Sequence, residues 1–350
     1  MTSGQQESTL DTPAVLAARE GHVEGRSPWA LAWRRLRRNY VALASLGVFC
    51  LLVTCCLLAP VYASHVAHRG ANDANINGYI HENGKAIPVV SLTGQPIGLQ
   101  WGAAGGQYIL GADQLGRDLA TRLLYGGENS LRVALASAAI STVISVFLAL
   151  LAGYFGGLVD GVISRVFDLI WAFPVILLGI ALGTALSING FHHKILGVPL
   201  NLDAGDLWIP TAIIAFVTIP YIARPLRGQV LALREKEFIE AAISQGAGPL
   251  RIMLTELLPN IASTVLVLFT LIVANSMLTE VGLSFLGAGV QPPNASWGTI
   301  LSDGQHWVAT DPWFSMFPGI FIAVAVLSIN IFGDGLRDAL DPRAKVRIEQ

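Results

Sequence analysis

Residues 133–159 read VALASAAISTVISVFLALLAGYFGGLV, without a single Asp, Glu, Lys or Arg. An apolar run of this length can cross the ~30 Å hydrocarbon core of a bilayer as an α-helix. The run does not alternate as barrel strands do, and a backbone in lipid must satisfy its own hydrogen bonds. This stretch therefore predicts a transmembrane helix and a membrane protein.

Five further runs share this lack of charge and near-spanning length: residues 41–63, 169–190, 207–223, 259–279 and 312–333. Run 207–223 is the shortest and carries Pro210 and Pro220. The composition agrees, since 53% of the 350 residues are hydrophobic and only 13% are charged, against about 25% charged in soluble domains. The net charge of −2 argues against nucleic-acid binding, which needs a basic excess. The predicted fold class is all-α, a polytopic membrane protein with six transmembrane helices.

Residues 281–302 are also free of charge, but Gly287, Gly289, Pro292 and Pro293 interrupt them. With six spans and a cytoplasmic N-terminus, far more Lys and Arg residues lie in the inner segments than in the outer ones. This arrangement follows the positive-inside rule. A seventh crossing would place the basic C-terminal tail outside, so residues 281–302 are predicted to form a re-entrant or interfacial loop on the outer face.

The predicted organisation follows from these spans. It comprises a cytoplasmic N-terminal tail (1–39), a first transmembrane helix (40–63), an external loop (64–128), a five-helix core (129–333) that includes a cytoplasmic loop (227–259), and a cytoplasmic C-terminal tail (334–350). In the first tail, Ser27 and Pro28 open an amphipathic stretch of Trp and Arg residues. That stretch either lies on the inner leaflet as an elbow helix or only orients the first span. Turn residues predict a small, mostly irregular cap for the external loop.

No signature of catalysis or metal binding is present. Phosphate-binding loops, dinucleotide-binding fingerprints and nucleophile elbows are missing, so no catalytic residue is predicted. Cys50, Cys55 and Cys56 lie in the first span and are interpreted as small apolar residues, so no metal site is predicted. The carboxylates nearest the spans are interpreted as edge or loop residues: Asp113, Asp118, Asp160, Asp168, Glu280 and Asp334. The spans therefore lack the charges of an ion relay, which disfavours a secondary transporter.

The polar segment 224–259 between the fourth and fifth spans has its own pattern. Residues 231–245 predict one helix, and Gly246 is placed to end it in the left-handed conformation. Pro249 opens a second short helix, which Pro259 ends. The result is a helix–turn–helix elbow, parallel to the membrane, whose small residues allow close approach of a partner. An ordinary linker would explain the polarity of this segment but not its construction.

At this point the sequence resembles a known family. Glu240-Ala241-Ala242, Gly246 and Leu258-Pro259 resemble the "EAA loop" of bacterial ABC-importer permeases, although Glu256 stands where an aliphatic residue is usual. Four further stretches resemble the dipeptide/oligopeptide/nickel branch of that family over about residues 27–345: LGADQLGRD (110–118), 160–174, the LSFLG to SWG block (283–298) and 330–343.

The resemblance implies a type I ABC-importer permease fold whose loop acts as a coupling helix docked on an ATPase subunit. The coupling residues that it implies are Glu237, Phe238, Glu240, Ala241, Ala242, Gly246, Ala247 and Pro259. The implied partners are a second permease subunit, two ABC ATPase subunits, and a periplasmic or lipid-anchored solute-binding protein. The implied location of this chain is the cell (inner) membrane. This chain would hold no cofactor, because ATP and Mg are bound by the ATPases.

The implied substrate is a dipeptide or oligopeptide, with nickel or another small solute as the alternative within the family. The fifth span is among the family's pore-lining helices, so the substrate path is assigned to Asn275, Ser276, Thr279 and Trp297. The alternative is that Asn275 and Ser276 only hydrogen-bond neighbouring helices. A secondary transporter is the rival class, and it would need charged or unwound sites at the midplane.

Overall fold

The computed structural model of the protein describes residues 28–82, 85–99, 107–195, 198–203 and 205–341. Most of the predicted N-terminal tail and residues 342–350 of the C-terminal tail lie outside the described residues. The main helices are α1 (Pro28–Leu36), α2 (Tyr40–Leu57), α3 (Leu119–Phe155), α4 (Gly157–Trp171), α5 (Val175–Asn189), α6 (Trp208–Arg234), α7 (Glu237–Ser244), α8 (Leu258–Phe285), α9 (Trp297–Gly304) and α10 (Trp313–Leu340).

Five of these helices, α2, α3, α6, α8 and α10, are long and apolar enough to cross a membrane. Helices α4 and α5 form a pair, bent by 85°, that passes the same test when joined. Counting that pair once gives six crossings over the described residues, as predicted. Residues 281–302 do not form a seventh, because α8 ends at Phe285 and the next helix, α9, begins only at Trp297.

The most extensive helix contact joins α3 to α6. Ser137 Oγ donates to the carbonyl oxygen of Thr211 at 3.0 Å, and Ser145 Oγ donates to that of Ile219 at 2.9 Å. The sequence offset is 74 in both pairs, so the two helices run parallel. Small residues along α3 permit this close approach, which is the favoured contact between helices in lipid.

Two parallel helices require a crossing in the opposite direction between them, and the bent pair α4–α5 supplies it. The sequence predicted one helix over residues 169–190. This prediction was wrong, because the structure has two helices with a bend between them. Pro174 has no backbone N–H and disfavours the helical conformation at Phe173, so the chain turns at residues 172–174. Helix α4 begins before the predicted span. The predicted span excluded charged residues, but Asp160 and Arg165 lie within this helix.

The second crossing also begins earlier than predicted. Helix α3 starts at Leu119 rather than at residue 133. The predicted span excluded charged residues, but Arg122, Glu128 and Arg132 lie inside the helix. It ends at Phe155, where Gly156 adopts a φ of +65°. The predicted external loop 64–128 therefore contains the first turns of a spanning helix.

The bundle has two ends, which are named here by their loops. The elbow end comprises the segments that join α3 to α4 and α6 to α8, together with α1 and the end of α10. At this end Arg35 donates to the carbonyl oxygen of Asp341 at 2.8 Å. A Cβ on Gly335 would lie 2.3 Å from Cβ of Ala42, so α10 and α2 touch there. Both described chain ends thus lie at the elbow end, as an even number of crossings requires.

The cap end comprises the loops that join α2 to α3, α5 to α6 and α8 to α10. Strands β1 (Tyr79–Glu82) and β2 (Lys85–Pro88) form an antiparallel hairpin in the first loop. Apart from this hairpin and a π-helix over Ala63–Ala67, the described residues of the loop before α3 are irregular, as predicted. Strands β3 (Phe191–Ile195) and β4 (Val198–Leu202) form a second hairpin, which the sequence did not predict. The short α9 packs between α3, α8 and α10.

The charged stretch of residues 110–118 forms a compact turn before α3. The Asp113 carboxylate accepts two backbone N–H groups within the turn. It also pairs with Arg117 Nε at 2.5 Å and with Arg122 Nε at 3.2 Å. Asp113 is a loop residue, as predicted, but it is only 1% exposed, so it organises the interior of the cap end.

Asp118 caps the N-terminus of α3. Its Oδ1 accepts from the backbone N–H of Thr121 at 3.2 Å, and the residue is fully buried. Burial raises the pKa of the Asp118 carboxyl to about 6, although the hydrogen bonds from Thr121 oppose the shift. Removal from water disfavours the charged form of a carboxyl group, so the folded protein binds this proton more tightly than the unfolded chain does.

We expect Asp118→Asn to remove a pH dependence while keeping the cap, because asparagine caps helices as well as aspartate. The unfolded chain loses the proton near pH 4, whereas the folded chain holds it to about pH 6. The wild-type free energy of unfolding therefore falls between about pH 4 and pH 6, by about 3 kcal/mol. The stability of the variant relative to wild type should rise across that window.

The measurement is thermal unfolding of the full chain in detergent, followed by tryptophan fluorescence from pH 4 to pH 7. Asp73→Asn is the matched control, because Asp73 is exposed at the cap end. A difference between Asp118→Asn and wild type that does not change with pH would contradict the assignment.

Candidate functional site

The elbow is built from two helical pieces and a glycine turn, but its first helix differs from the prediction. Residues 231–245 do not form one helix. Helix α6 ends at Arg234, the chain extends through Lys236, and α7 begins at Glu237. Lys236 takes an extended conformation with ψ of 147°, which redirects the chain so that α7 leaves the axis of α6.

Gly246 ends α7, as predicted. Its φ is +81°. Its N–H donates to the carbonyl oxygen of Ile243 at 2.9 Å, and the N–H of Ala247 donates to that of Ala242 at 3.0 Å. These two bonds are those of a Schellman motif, which needs a residue in the left-handed conformation. Ala242 and Ala247 both pack on the main core, so the small side chains named by the family pattern fasten the turn to the bundle.

Pro259 does not end the second helix, so that prediction was wrong. A turn from Pro249 to Arg251 leads into a π-helix over Ile252–Leu257, which continues directly into α8. The N–H of Leu258 donates to the carbonyl oxygen of Met253, five residues back. The wider π-turn removes the clash that a proline ring makes with the preceding α-helical turn. Pro249 to Phe285 is consequently one continuous rod.

The elbow presents an apolar surface with acidic residues around it. Ile239 is buried and holds α7 on the bundle. Four large apolar side chains are exposed instead: Phe238 (38%), Ile243 (54%), Leu250 (65%) and Leu254 (49%). Among the predicted coupling residues, Glu237, Glu240 and Ala241 are exposed as well. Exposed large apolar side chains gathered in one short segment are typical of an interaction site.

A recess of about 630 Å³ lies beside α7. Its lining combines apolar and charged side chains: Tyr154, Phe155, Leu231, Arg234, Glu235, Ile239, Glu240 and Ile243. The ends of α3 and α6 form one wall and α7 forms the other, so the recess would change shape with any movement of α7 relative to the bundle.

Helix α4 is braced against α6 at the elbow end by two ion pairs. The Asp160 carboxylate pairs with the Arg227 guanidinium through both of its oxygens. Asp168 pairs with Arg224 at 2.7 Å, and that guanidinium lies 4.0 Å from the ring centroid of Trp171. The two aspartates predicted to be edge residues thus fix the bent pair to the helix that leads into the elbow.

The four residues of the predicted substrate path have different surroundings. Asn275 in α8 is partly exposed, while Ser276 and Thr279 are buried. The Thr279 hydroxyl donates to the carbonyl oxygen of Asn275 at 2.8 Å. Trp297 is fully buried, and its Nε1 donates to the carbonyl oxygen of Leu123 at 3.0 Å. Of the four, only Asn275 offers a polar side chain to a surface of the chain.

The sequence analysis did not predict the burial of Glu280. Ending each apolar run at the first charge placed Glu280 at a span edge, but it is fully buried within α8. The signal that could have found it is the spacing of Ser276, Glu280 and Ser284, which share one face of a helix. Among the described residues, no group of three or more His, Cys, Asp or Glu residues is arranged to hold a metal ion.

Comparison with known proteins gives two family matches. Residues 145–346 match the family described as "Binding-protein-dependent transport system inner membrane component". Residues 27–77 match the "N-terminal TM domain of oligopeptide transport permease C". The first match covers more than half of the chain, and it includes the elbow and α6, α8 and α10.

Two relatives are similar over nearly their whole lengths. A peptide transport system permease protein of Brucella suis biovar 1 (strain 1330) is 36% identical, over 92% of this chain and 94% of its own. The glutathione transport system permease protein GsiD of Shigella flexneri serotype 5b (strain 8401) is also 36% identical, over 91% of this chain and 92% of its own.

Two solved structures of the inward-facing MetNI methionine ABC transporter align with 63% of this chain and 96% of theirs, at 19% identity and TM-scores of 0.48 and 0.49. Family membership rests on the sequence matches. The chain is therefore a multi-pass membrane permease that belongs to the family of binding-protein-dependent transport system inner membrane components, whose members work with an ATPase and a substrate-binding component.

Proposed function

We propose that this chain is the transmembrane permease subunit of an ATP-driven importer of dipeptides or oligopeptides. The names of the two relatives support a peptide cargo, since one is a peptide permease and the other carries glutathione, a tripeptide. Nickel or another small solute is the alternative within the family, because a separate binding protein selects the cargo.

The exposed apolar surface of the elbow is the observation that carries the proposal. Phe238, Ile243 and Leu250 lie at the end of the bundle, where a free permease gains nothing by exposing them. Docking on an ATPase subunit would remove this surface from water. The acidic residues around it, Glu237 and Glu240, would add charge complementarity to a basic partner.

The proposed assembly contains a second permease subunit, two ABC ATPase subunits, and a periplasmic or lipid-anchored solute-binding protein. ATP and Mg would be bound by the ATPases, so this chain would carry neither a cofactor nor a catalytic residue. Its own role is to change between two access states when the ATPases close. Such a change requires contacts that differ in the two states, and the recess beside α7 supplies a place for them.

The proposed orientation puts the elbow end in the cytoplasm of a cell-membrane protein, with both termini on that side. Basic residues favour this orientation because cytoplasmic segments carry an excess of Lys and Arg. The described basic residues at the elbow end are Arg34, Arg35, Arg37, Arg38, Arg165, Arg224, Arg227, Arg234, Lys236, Arg251 and Arg337.

We expect Gly246→Val to uncouple the elbow. The φ of +81° is an outlier for a β-branched residue, so the turn must distort at a cost of about 1–2 kcal/mol. Nothing lies within 4 Å of a Cβ at this position, so the effect would come from the backbone and not from a clash. The variant should insert normally yet lose ATPase subunits on purification, or hydrolyse ATP without uptake.

Gly248→Val is the matched control, because Gly248 also has open space around it but takes an extended conformation, with φ of −74°, that any residue adopts. Glu240→Lys tests the surface charge and should weaken ATPase retention without changing the turn. Normal uptake and full stimulated hydrolysis in both Gly246→Val and Glu240→Lys would show that the elbow is only a linker.

The orientation is tested by single cysteines in a chain whose native cysteines have been replaced. Cysteines at Lys85 and Asn294, both in cap-end loops, should react with an impermeant thiol reagent added to intact cells. A cysteine at Glu240 should react only after permeabilisation. Labelling at Glu240 from outside would reverse the proposed orientation.

Asn275→Leu tests the substrate path. A polar side chain that faces the path should contribute to transport, so uptake should fall several-fold at unchanged subunit abundance. Ser276→Ala is the contrast, because that hydroxyl is buried and is expected to be neutral. Uptake of peptides of every length at the wild-type rate by Asn275→Leu would assign Asn275 to packing alone. Uptake that persists in ATP-depleted vesicles under an ion gradient would instead support a secondary transporter.

A further inference from the structure

Glu280 is a carboxylate with no exposed surface inside a membrane-spanning helix. It lies near the cap end of α8, one turn before Ser284. No lysine or arginine forms an ion pair with it in the part of the chain that the structure describes. A carboxyl group buried without a counter-ion is costly unless hydrogen bonds satisfy it, so its surroundings must supply donors.

Ser284 supplies one donor, and two further serine hydroxyls lie beside the carboxylate. Ser284 Oγ donates to Glu280 Oε1 at 2.7 Å. The hydroxyls of Ser130, on α3, and Ser296, just before α9, face the same carboxylate. All three serines are buried, so each has few alternative partners for its single proton.

Each of the three serine oxygens also accepts a backbone N–H from the segment that follows α8. The N–H of Val290 donates to Ser284 at 3.0 Å. The N–H of Trp297 donates to Ser130 at 3.1 Å, and that of Thr299 donates to Ser296 at 3.2 Å. Three backbone N–H groups of residues 290–299 are therefore held by serines around one carboxylate. The relay through Ser284 reaches Glu280 Oε1 by a hydrogen bond, and those through Ser130 and Ser296 end beside the carboxylate.

The chemistry of the groups makes Glu280 the common element of these relays. A serine hydroxyl has one proton, and accepting a backbone N–H directs that proton away from the backbone. A carboxylate offers two oxygens and about four lone-pair sites, enough for three such donors. The first turn of α9 adds the partial positive charge of a helix N-terminus on the same side.

The same segment closes the cap end over the bundle. A Cβ on Gly298 would lie 2.6 Å from the carbonyl oxygen of Val281, so α9 touches the backbone of α8. Trp297 fills the space between α3 and α10, with its ring centroid 5.9 Å from that of Phe321. Movement of this segment would open the interior of the bundle at the cap end.

We propose that Glu280 is a positioning residue that holds residues 286–299 against α3 and α8 and so keeps the cap end closed while the elbow end moves. The inference extends the proposed transport function, since closure matters only for a protein that alternates access. Glu280 acts through the three serines and need not touch the substrate.

The test is amide hydrogen exchange by mass spectrometry on the purified transporter complex in nanodiscs. Glu280→Gln keeps the size of the side chain but leaves one acceptor oxygen and adds an N–H₂ group that has no free acceptor nearby. The serine hydroxyls would then lose the acceptor that orients them. Peptides covering Val290, Trp297 and Thr299 should all exchange up to about tenfold faster, the factor expected when each amide loses its hydrogen bond to serine. Ser284→Ala breaks one relay, so its effect should be confined to the peptide with Val290.

Glu128→Gln is the matched control, since Glu128 lies on α3 near the same end and pairs with the exposed Arg132. It should leave exchange in residues 286–300 unchanged. Wild-type exchange of this segment in Glu280→Gln, or an equal increase throughout the bundle, would overturn the proposal. If Glu280→Gln does not accumulate in the membrane, Ser284→Ala and Ser130→Ala replace it. Faster exchange should be confined to Val290 in Ser284→Ala and to Trp297 in Ser130→Ala. Faster exchange elsewhere in these variants would overturn the proposal.

Two further measurements separate this proposal from the transport function itself. ATPase retention and stimulated hydrolysis should stay normal in Glu280→Gln, while uptake per ATP hydrolysed falls several-fold. If neither the wild type nor the variant binds ATPase subunits, the proposed transport function is refuted. The exchange experiment on Glu280 can still be interpreted in that case. Unchanged uptake per ATP with faster exchange would show that Glu280 orders the segment without closing the cap end, which contradicts the proposal.

Discussion

The parallel contact between α3 and α6 is the constraint on which the rest of the bundle depends. In a membrane there is no hydrophobic drive to bring helices together, so close approach through small residues and interhelical hydrogen bonds must do it. Ser137 and Ser145 supply the hydrogen bonds. At Gly153 a Cβ would lie 2.5 Å from Val230 Cγ1, so a larger residue would separate the helices. Because they run parallel, the chain between them must return across the membrane, which accounts for the bent pair α4–α5.

Glycine and proline residues lie at several points where the helices of the bundle end or bend. Gly156 ends α3 and Gly246 ends α7, each at a positive φ. Pro174 separates α4 from α5, while Pro259 is absorbed by a π-turn and leaves its helix unbroken. The same residue type thus breaks one helix and not another. The difference lies in whether the preceding turn can widen, which depends on packing around that turn and not on the proline itself.

The sequence predicted the number of crossings, the positive φ of Gly246 and the amphipathic α1, because each depends on local composition or on one residue's conformational preference. Boundaries were predicted poorly, since a charged residue was taken to mark the end of a span. Arg122 is nevertheless buried at the start of α3, where Asp113 neutralises it at 3.2 Å, and Glu280 is buried among serines in α8. Whether a charge lies inside a helix depends on a partner from elsewhere in the chain, and that partner cannot be read from the local sequence.

The elbow and the Glu280 cluster lie at opposite ends of one rod, Pro249–Phe285. Its 37 residues span about 55 Å at the helical rise, so the two ends are on opposite sides of the bilayer. A push on the elbow can tilt such a rod only if its far end is fastened, because an unfastened end would follow the movement and no difference between the two sides would arise. The proposed hold of Glu280 on residues 286–299 would provide that fastening, while the π-turn at Ile252–Leu257 joins the rod to the elbow without a break. Fastened in this way, the rod would concentrate motion at the elbow end and resist it at the cap end, which is the requirement for opening a bundle on one side at a time.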